Sequence, residues 1–494
     1  MKKYILMRLI RSIISILIVV SIVVAMLYTL VPTSRVFEKD TAYQKLKTNY
    51  KVAYQYSKLE ELGYLDYMSQ ADMCIAAEDT SQECLDPKSE KSAAARKFVE
   101  GKGFKILSLD QYDELQGTYI AYRYYNVVEL VGKFFTRLIE IDNPWAIKDE
   151  ANPGISRKYY FTTDHNGIPA LACSGCNYKY QIYFDGNFPF IHQNIFNLNF
   201  GDSFPTQSGI PTTSVIGNGQ GKLKSFEQTF PTGQKIKSPI LQHTCKYKEN
   251  PDHLDKKRFT DNYANCTSKY ESASMIQLSY LFGILAIILA YSIAVPAGVA
   301  MARNKGKLQD KIGIVYINIL ISVPSLAFIF FVKFLGHRIG LPDKFPHLGF
   351  NDVRSYILPV IILGLLSTPS LMMWIRRYMV DQANADYVKF AKAKGLTRKE
   401  IARNHIFKNA IIPIVNGIPA SIILAISGAV ITESVFSIPG MGKMLPDAIL
   451  NVNNNMVITL TFIFSSLSIF SVFLGDILMT IMDPRISLST KKGA

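Results

Sequence analysis

Long apolar runs alternate with polar stretches along this chain. Six runs have about the 20 residues that a helix needs to cross a bilayer, at roughly 10–31, 276–300, 312–335, 356–374, 411–431 and 457–479. A stretch of about 240 residues between the first two runs has an ordinary soluble composition. The pattern predicts a polytopic α-helical membrane protein with six transmembrane helices and a large domain inserted between helices 1 and 2.

The first apolar run follows Lys2 and Lys3, as the core of a signal peptide would. It extends over about 22 residues, whereas a signal core has about 7–15. No A-x-A cleavage site follows it. We therefore expect this run to stay in the membrane as an anchor.

The inserted stretch has the pattern of a mixed α+β domain. Helical spacing of apolar residues occurs at 42–62 and 93–99. Aromatic and β-branched segments among Gly, Asn and Pro turn residues predict strands at 159–161, 178–184 and 188–195. The tyrosine-rich run 119–125 is typical of a strand packed in a core, and a ligand groove is the alternative.

The net charge of +15 is unevenly distributed. Residues 33–271 hold 29 basic and 29 acidic residues, so the whole excess lies outside the inserted domain. The excess basic residues gather at the N-terminus and at 303–311, 376–408 and 485–492. This positive-inside bias predicts a multi-pass protein of the cell membrane with both termini cytoplasmic and the large domain extracellular. It argues against nucleic acid as a partner.

The cysteines agree with this orientation. All six lie in the inserted domain, at Cys74, Cys84, Cys173, Cys176, Cys245 and Cys266. Disulfides persist outside the cytoplasm, and six cysteines allow fifteen pairings. Proximity favours the pairs Cys74–Cys84, Cys173–Cys176 and Cys245–Cys266. The C-x-x-C at 173–176 has no second C-x-x-C nearby, so a structural bridge is favoured over a redox dithiol or a metal site.

No active site is recognisable, so we expect a transport subunit and not an enzyme. The segment 216–223 approaches a phosphate-binding loop, but Ile216 replaces the first glycine and Leu223 replaces the Ser/Thr that binds Mg²⁺. The charged residues Lys333, Glu433 and Asp476 fall near the ends of apolar runs, where pairing or snorkelling is favoured over a functional role. The protein therefore takes its energy from a partner.

The polar segment between the fourth and fifth runs is too long and too helical for a simple connector. Gly395 tolerates the positive φ that ends or turns a helix. Thr397 and Glu400 then form the capping-box pattern of a new helix. The segment predicts two short helices joined at Gly395, a protruding basic elbow suited to a groove on a partner. A merely solvated loop is the alternative.

Several motifs resemble those of one known family. They are Asp386-Tyr387-Val388 with Ala391-Lys392-Ala393-Lys394-Gly395-Leu396, then His405, Asn409-Ala410 and Ile412-Pro413; Glu433-Ser434-Val435-Phe436 with Ile438-Pro439-Gly440-Met441-Gly442; Met482-Asp483-Pro484-Arg485; and, before the second run, Asn199-Phe200-Gly201-Asp202-Ser203. Together they resemble the dipeptide/oligopeptide permeases of binding-protein-dependent ABC importers, whose EAA loop is the coupling helix. Lys389 and Phe390 replace the Glu and Ala of the general motif, as fits the peptide branch.

The resemblance implies a type I ABC importer permease that takes up oligopeptides. It implies a heterodimer with a second permease subunit, two cytoplasmic ABC ATPase subunits and an extracellular peptide-binding lipoprotein. ATP and Mg²⁺ would be bound by the partner subunits, with no cofactor in this chain. The residues implied to couple to the ATPase are Asp386, Tyr387, Ala391, Ala393, Gly395 and Leu396.

The expected domains are an N-terminal end with helix 1 (1–34), an extracellular domain (35–271) and a permease core (272–494) containing the coupling loop 376–410. The inserted domain resembles, in size and placement, that of the larger permease of streptococcal Ami-type oligopeptide systems. Docking of the binding protein is the first hypothesis for its role; a cap over the outer gate and a stabiliser of the permease pair are alternatives. A membrane sensor that binds a ligand outside, and an ion-coupled carrier, are the rival functions.

Overall fold

The computed structural model describes residues 2–109, 118–149, 152–164, 167–186, 190–425 and 430–482. The chain packs into two compact units. The helical unit comprises Met1–Val20, Ala273–Asp447 and Leu460–Ala494. The mixed unit comprises Ser21–Ser272 and Ala448–Thr459. The divisions between the two units fall after residues 20, 272, 447 and 459, and the expected domain bounds at 34 and 271 stay a prediction.

The helical unit is built from long apolar helices and several short ones. Its helices, some continuing into the mixed unit, are α1 (Lys2–Leu30), α11 (Met275–Arg303), α12 (Leu308–Ser322), α13 (Ser325–Arg338), α14 (Arg354–Ala383), α15 (Asp386–Ala393), α16 (Arg398–Glu400), a π-helical segment (Ile401–Phe407), α17 (Lys408–Ala410), α18 (Ile412–Leu424), α19 (Val430–Phe436), α20 (Met441–Leu450) and α21 (Asn454–Met482).

Within the described residues, four helices are long and apolar enough to cross a membrane: Ile5–Leu30, Met275–Arg303, Arg354–Ala383 and Asn454–Ile481. Two further pairs of helices reach the necessary length only as bent pairs, Leu308–Ser322 with Ser325–Arg338 and Arg398–Ala410 with Ile412–Ile423. The chain is therefore a multi-pass helical protein with between four and six spans by length and composition.

The third apolar run, expected as one span, forms two helices with a sharp bend between them. The chain bends by 106° between α12 and α13. Val323 and Pro324 are both extended at the break. Proline has no N–H to continue the α12 ladder and disfavours a helical conformation in the residue before it, so α12 ends and α13 begins afresh.

Two hydrophobic clusters hold the helical unit together. One joins α11, α13, α14 and α19 through eight buried residues, Leu278, Phe282, Ile329, Phe345, Leu358, Ile362, Phe436 and Ile438. The other joins α11, α12, α14, α17 and α18 through Ala294, Met301, Ile317, Met372, Ile375, Met379, Ala410 and Ile414. The second cluster supports the polar segment that follows α14.

The mixed unit contains short helices and small antiparallel sheets. Its helices are α2 (Thr33–Val36), α3 (Thr41–Lys45), α4 (Thr48–Glu61), α5 (Gln70–Ala76), α6 (Gln82–Leu85), α7 (Glu90–Gly101), α8 (Val127–Leu138), α9 (Thr212–Gly217), a 3₁₀ turn (Gln242–Thr244) and α10 (His253–Arg258). Its strands are β1 (Leu65–Met68), β2 (Lys105–Ser108), β3 (Tyr119–Tyr124), β4 (Ile139–Ile141), β5 (Lys158–Thr163), β6 (Pro169–Ser174), β7 (Tyr180–Phe184), β8 (Ile191–Gln193), β9 (Phe196–Leu198), β10 (Gln220–Leu223), β11 (Phe226–Thr229), β12 (Lys235–Ser238) and β13 (Tyr270–Ser272).

The strands form a three-stranded sheet in the order β1-β3-β2, a four-stranded sheet β5-β6-β7-β8, and the pairs β4-β9, β10-β13 and β11-β12. The tyrosine-rich run is strand β3, which lies in the centre of its sheet. Helix α8 was not predicted. Its start carries a capping box between Asn126 and Glu129. This pattern is visible in the sequence and indicates a helix, but the aromatic residues around it favour a strand.

Three disulfides lie in the mixed unit. They join Cys74 to Cys84, Cys173 to Cys176 and Cys245 to Cys266. These are the pairs that proximity in the sequence favours.

Candidate functional site

The polar segment after α14 forms a helical elbow, residues 386–407. Helix α15 ends at Ala393, and Gly395 follows with a φ of +81°. Thr397 then caps α16: its side chain accepts a hydrogen bond from the Glu400 N–H, and the Glu400 carboxylate accepts one from the Thr397 N–H. Two short helices therefore meet at a glycine turn, which confirms the local structure predicted from Gly395, Thr397 and Glu400.

The inner side of the elbow is a small apolar core. Val388, Ala391 and Ile401 are buried together, and Tyr387 and Ile406 pack against them. The Tyr387 hydroxyl also donates a hydrogen bond to Gln382 Oε1 at 2.7 Å. Among the predicted coupling residues, Ala391 and Tyr387 thus contribute to the internal packing of the elbow, where a small residue at 391 lets α15 approach the second helix.

The outer side of the elbow carries exposed groups. Asp386, Ala393 and Gly395 are exposed, and the side chain of Leu396 is 37% exposed. The sequence did not single out Phe390 as a site residue, yet its ring is 70% exposed between basic neighbours. A large exposed aromatic side chain is typical of an anchor at a protein interface. Its helical spacing from Val388 and Ala391, which are buried, was the available signal.

One residue, Ile406, belongs both to the elbow core and to the contacts with the apolar helices. Ile406 contacts the elbow core and also packs against the second cluster of the helical unit, where Ile375, Met379 and Ala410 lie. Residues 401–407 form a π-helical segment, a rare form that is often found at functional sites. Ile406 therefore lies between the elbow core and the cluster to which α14 and α18 contribute.

An ion pair with a buried carboxylate joins α12 to α14. Arg376, in the last part of α14, donates to Asp310 of α12 through Nε at 2.6 Å and Nη2 at 2.8 Å. The Gly306 N–H donates to the same carboxylate at 2.8 Å. The Asp310 side chain is only 2% exposed. The bidentate geometry fixes α12 against α14 close to the point where the elbow begins.

A cavity of about 310 Å³ lies among α11, α14, α18 and α19. Small side chains line much of it, including Gly283, Ala286, Ala290 and Ser421, and the side chain of Glu433 borders it. The Glu433 carboxylate accepts hydrogen bonds from the Ser279 hydroxyl at 2.8 Å and from the Lys443 N–H at 2.9 Å. The buried acid thus helps to hold the start of α20.

The other charged residues near the apolar runs have structural partners. Lys333 donates to the Val435 carbonyl at 2.9 Å and lies over the Phe436 ring. Asp476 forms an ion pair with Arg8 of α1. These contacts agree with the structural interpretation of Lys333, Glu433 and Asp476. The terminal motif 482–485 lies, beyond its first residue, outside the described residues.

Known proteins resemble this chain over different lengths. The family described as "Binding-protein-dependent transport system inner membrane component" matches residues 294–488. The oligopeptide transport system permease protein AmiC of Streptococcus pneumoniae is 42% identical over 499 aligned positions, covering 100% of both chains. The dipeptide transport system permease protein DppB of Lactococcus lactis is 30% identical over 44% of this chain and 71% of its own length.

Among solved structures, a chain of the MetNI methionine ABC transporter in inward-facing conformations is similar to this chain. The alignment covers 42% of this chain and 94% of the MetNI chain. The sequence identity is 14% and the TM-score is 0.33. The match to AmiC, which covers the full length of both chains, shows that this chain belongs to the oligopeptide permeases.

Proposed function

Because this chain belongs to the oligopeptide transport-system permease family, we propose that it is the transmembrane permease subunit of an ATP-binding-cassette importer of oligopeptides. The 42% identity to a permease of that name, over the full length of both chains, is the observation that supports this most. The elbow supports the proposal structurally, because it is a folded, basic and exposed segment on an otherwise apolar helical unit and could contact an ATPase.

In this proposal the elbow docks on a cytoplasmic ATPase subunit. Phe390 and Leu396 are the apolar anchors, and Ala393 and Gly395 let the partner approach the backbone closely. Basic side chains at Lys392 and Lys394 border the contact. A permease paired with a second, non-identical permease would bring two elbows to two ATPases, which bind the ATP and Mg²⁺ that this chain has no loop to hold.

Closure of the ATPases on ATP would displace α15. The displacement would reach α14 and α18 through Ile406, while the Asp310–Arg376 pair keeps α12 moving with α14. The cavity bordered by Glu433 lies among α11, α14, α18 and α19, so the same motion changes its shape. We propose this cavity as part of the peptide path, because its small side chains leave room for varied substrates.

The proposed topology has six spans, both termini in the cytoplasm and most of the mixed unit outside. The bent pair α12–α13 would count as one span, and the apolar run 411–431 after the elbow would count as another. An extracellular lipoprotein would deliver peptides to the outer face, and the disulfide-braced mixed unit is the proposed platform on which it docks. Its three disulfides and its balanced charge suit an exposed and rigid scaffold.

The test is co-expression of the full chain with its candidate partner subunits, followed by purification through a tag on this chain. The proposal predicts that an ATPase co-purifies and that reconstituted vesicles take up a labelled oligopeptide only with ATP. A chain that binds peptide without retaining any ATPase, and that alters no uptake, would favour the sensor function instead.

A further inference from the structure

A cavity of about 290 Å³ in the mixed unit lies beside the end of α1. Its walls come from Tyr28 of α1, from Glu60 and Gly63 after α4, and from Lys133, Phe134 and Arg137 of α8. The volume is close to the lower end of the range of about 300–1,000 Å³ found for ligand pockets. No role assigned above to the elbow or the peptide path uses this cavity.

The guanidinium of Arg137 is incompletely paired. Its Nε is buried and has no hydrogen-bond partner. Within the ranges that the structure describes, no carboxylate forms an ion pair with Arg137. Guanidinium has five N–H donors and no acceptor, and the Arg137 side chain lines the cavity. A guanidinium on a cavity wall offers charge-assisted donors to an oxyanion.

A glycine beside the Arg137 guanidinium leaves space for it. Gly63 adopts a φ of +81°, and a Cβ at that position would lie 2.8 Å from Arg137 Nη1. The hydroxyl of Tyr28 also interacts with Arg137 and donates its own hydrogen bond to the Leu62 carbonyl at 3.0 Å. The guanidinium is therefore held in place on a glycine backbone, and it is not a freely moving surface side chain.

A second cation lies on the same wall. Lys133, one helical turn before Arg137, is 3.2 Å from Asp66 and 3.5 Å from the centre of the Tyr125 ring. Asp66 already binds Arg123 at 2.8 Å. Glu60 is the carboxylate on the cavity wall; its Oε1 accepts from the Tyr67 N–H at 3.3 Å. Burial raises the pKa of the Glu60 carboxyl group.

The position of the cavity beside the end of α1 favours a lipid phosphate as its ligand. Tyr28 lies two residues before the end of the candidate span Ile5–Leu30. Tyrosine is enriched where a helix leaves the hydrocarbon region and enters the headgroup layer. On α8, which carries both cations, the Val128 side chain is 81% exposed. Lipid phosphates, and not soluble anions, are concentrated at that depth.

We propose that Arg137, with Lys133 and Tyr28, binds the phosphate of an anionic phospholipid headgroup at the outer end of α1. Guanidinium recognises phosphate through two parallel N–H donors, which a lysine cannot reproduce. The lipid anchors α8 and the adjoining part of the mixed unit at the membrane surface. The inference rests on the proposed function in requiring that α1 spans the membrane with its N-terminus in the cytoplasm.

The test uses the full-length protein in nanodiscs that contain phosphatidylglycerol and phosphatidylcholine. After mild detergent extraction, native mass spectrometry counts the phosphatidylglycerol molecules retained on each chain. The wild type is expected to retain one, and Arg137→Gln to lower its occupancy about tenfold, as expected for one lost charge-assisted contact. Arg137→Lys is expected to restore only part of it.

Arg35→Gln is the matched control, because Arg35 is exposed shortly after α1 and outside the cavity; it is expected to retain lipid as the wild type does. Thr136→Phe obstructs the cavity while keeping Arg137, so it tests the site if Arg137→Gln fails to fold. Equal retention by the wild type, Arg137→Gln and Thr136→Phe would overturn the proposal. So would displacement of the lipid by an added peptide with a free carboxylate.

Peptide uptake is not the readout of this experiment. A wild type that retains the lipid but transports no peptide would contradict the proposed function and leave the lipid site supported. A wild type that transports peptide but retains lipid no better than Arg137→Gln would contradict the lipid site alone.

Discussion

The side-chain amide of Asn453 donates a hydrogen bond to the Ser203 hydroxyl at 2.8 Å, and both residues are buried although 250 positions separate them. The next two residues extend this contact: Asn454 donates to the Tyr64 hydroxyl at 2.6 Å and Asn455 to the Asp202 carbonyl at 2.9 Å. Three consecutive asparagines thus fix the start of α21 within the mixed unit by directional polar contacts.

Replacing Asn453 by Ala should destabilise the mixed unit. The Asn453 amide also donates to Thr206 Oγ1 at 3.0 Å, and its oxygen accepts from the Met456 N–H at 3.2 Å. Truncation leaves buried polar groups unpaired, at a cost of about 1–3 kcal/mol. Thermal unfolding of the purified full chain should show a fall in Tm of several degrees.

Asn451→Ala is the control, because Asn451 accepts only an exposed contact from Lys39 Nζ at 2.9 Å. It should change the Tm little. Equal shifts for the two alanine variants would show that burial of the Asn453 network contributes no particular stability.

Breaking the Asp310–Arg376 pair should destabilise the helical unit. Arg376→Ala leaves the buried Asp310 charge without its bidentate partner. The expected cost is about 3 kcal/mol, at the lower end for a broken buried pair, since the Arg376 side chain is 26% exposed. A double-mutant cycle with Asp310→Asn, read by thermal unfolding in detergent, should give a large coupling between the two residues. Additive effects would contradict this interpretation.

The stability of the mixed unit should depend on pH through Asp66. Burial opposes ionisation, but hydrogen bonds from Tyr125, Arg123 and Lys133 outweigh it and lower the pKa of Asp66 below 3.8. A lowered folded pKa gives a stabilisation that is present above the ordinary pKa and is lost as the pH falls through the lowered value. Asp66→Asn should therefore lower the Tm at neutral pH, and the difference from the wild type should shrink at acidic pH below 3.8.

Lys91 and Glu83 provide a control pair of opposite charges that is more exposed and lies in the same unit. Glu83→Gln should have a much smaller effect on the Tm at neutral pH. A difference between the wild type and Asp66→Asn that stays constant from neutral to acidic pH would contradict the role of the Asp66 charge.

Local signals in the sequence were sufficient for the elbow and the apolar helices. The glycine turn at 395 and the cap at Thr397 depend on neighbours within four residues, so the chain itself specifies them. The bend at Pro324 was less predictable, because proline is tolerated inside other helices here, such as Pro296 in α11. The asparagines at 453–455 were not singled out, since their partners at Tyr64 and Asp202 are remote in sequence.

The same limit applies to the candidate site. Ala391 is among the residues implied to couple to the ATPase, and the structure buries it in the elbow core. Phe390, which replaces the Ala of the general motif, is the most exposed large apolar side chain of the elbow. Which face of a short helix is covered depends on the neighbouring segment, here Ile401, and periodicity alone does not reveal it.

Phe390→Ala should weaken the association with the ATPase without unfolding the permease. The ring is 70% exposed and contributes little to the folded core, so the Tm should stay within about 2 °C of the wild type. Loss of an aromatic anchor at an interface costs about 2 kcal/mol or more, so the fraction of ATPase that co-purifies should fall at least tenfold.

Leu308→Ala is the matched control, since Leu308 begins α12 and is 71% exposed in the same unit. It should leave the co-purifying ATPase unchanged. If both variants retain the ATPase as the wild type does, Phe390 is not an anchor for that partner.

Gly395 and Gly306 allow docking of the elbow on the ATPase to be tested with equal backbone strain in the two variants. Both have a φ of +81°, and neither has an atom within 4 Å of where a Cβ would stand. A tryptophan therefore imposes the same left-handed strain at either position, about 1–2 kcal/mol, and its Cβ has open space at both. The Gly306 N–H that donates to Asp310 is a backbone group that the substitution keeps, so a partner docked on the elbow is the expected difference between the two sites.

The decisive measurement is ATP-driven uptake of a labelled oligopeptide by vesicles that contain the complete complex, with Gly395→Trp and Gly306→Trp compared side by side. Gly395→Trp is expected to abolish uptake and to reduce the amount of co-purifying ATPase. Gly306→Trp is expected to keep most of the uptake and most of the ATPase. Full uptake by Gly395→Trp would contradict the coupling role of the elbow.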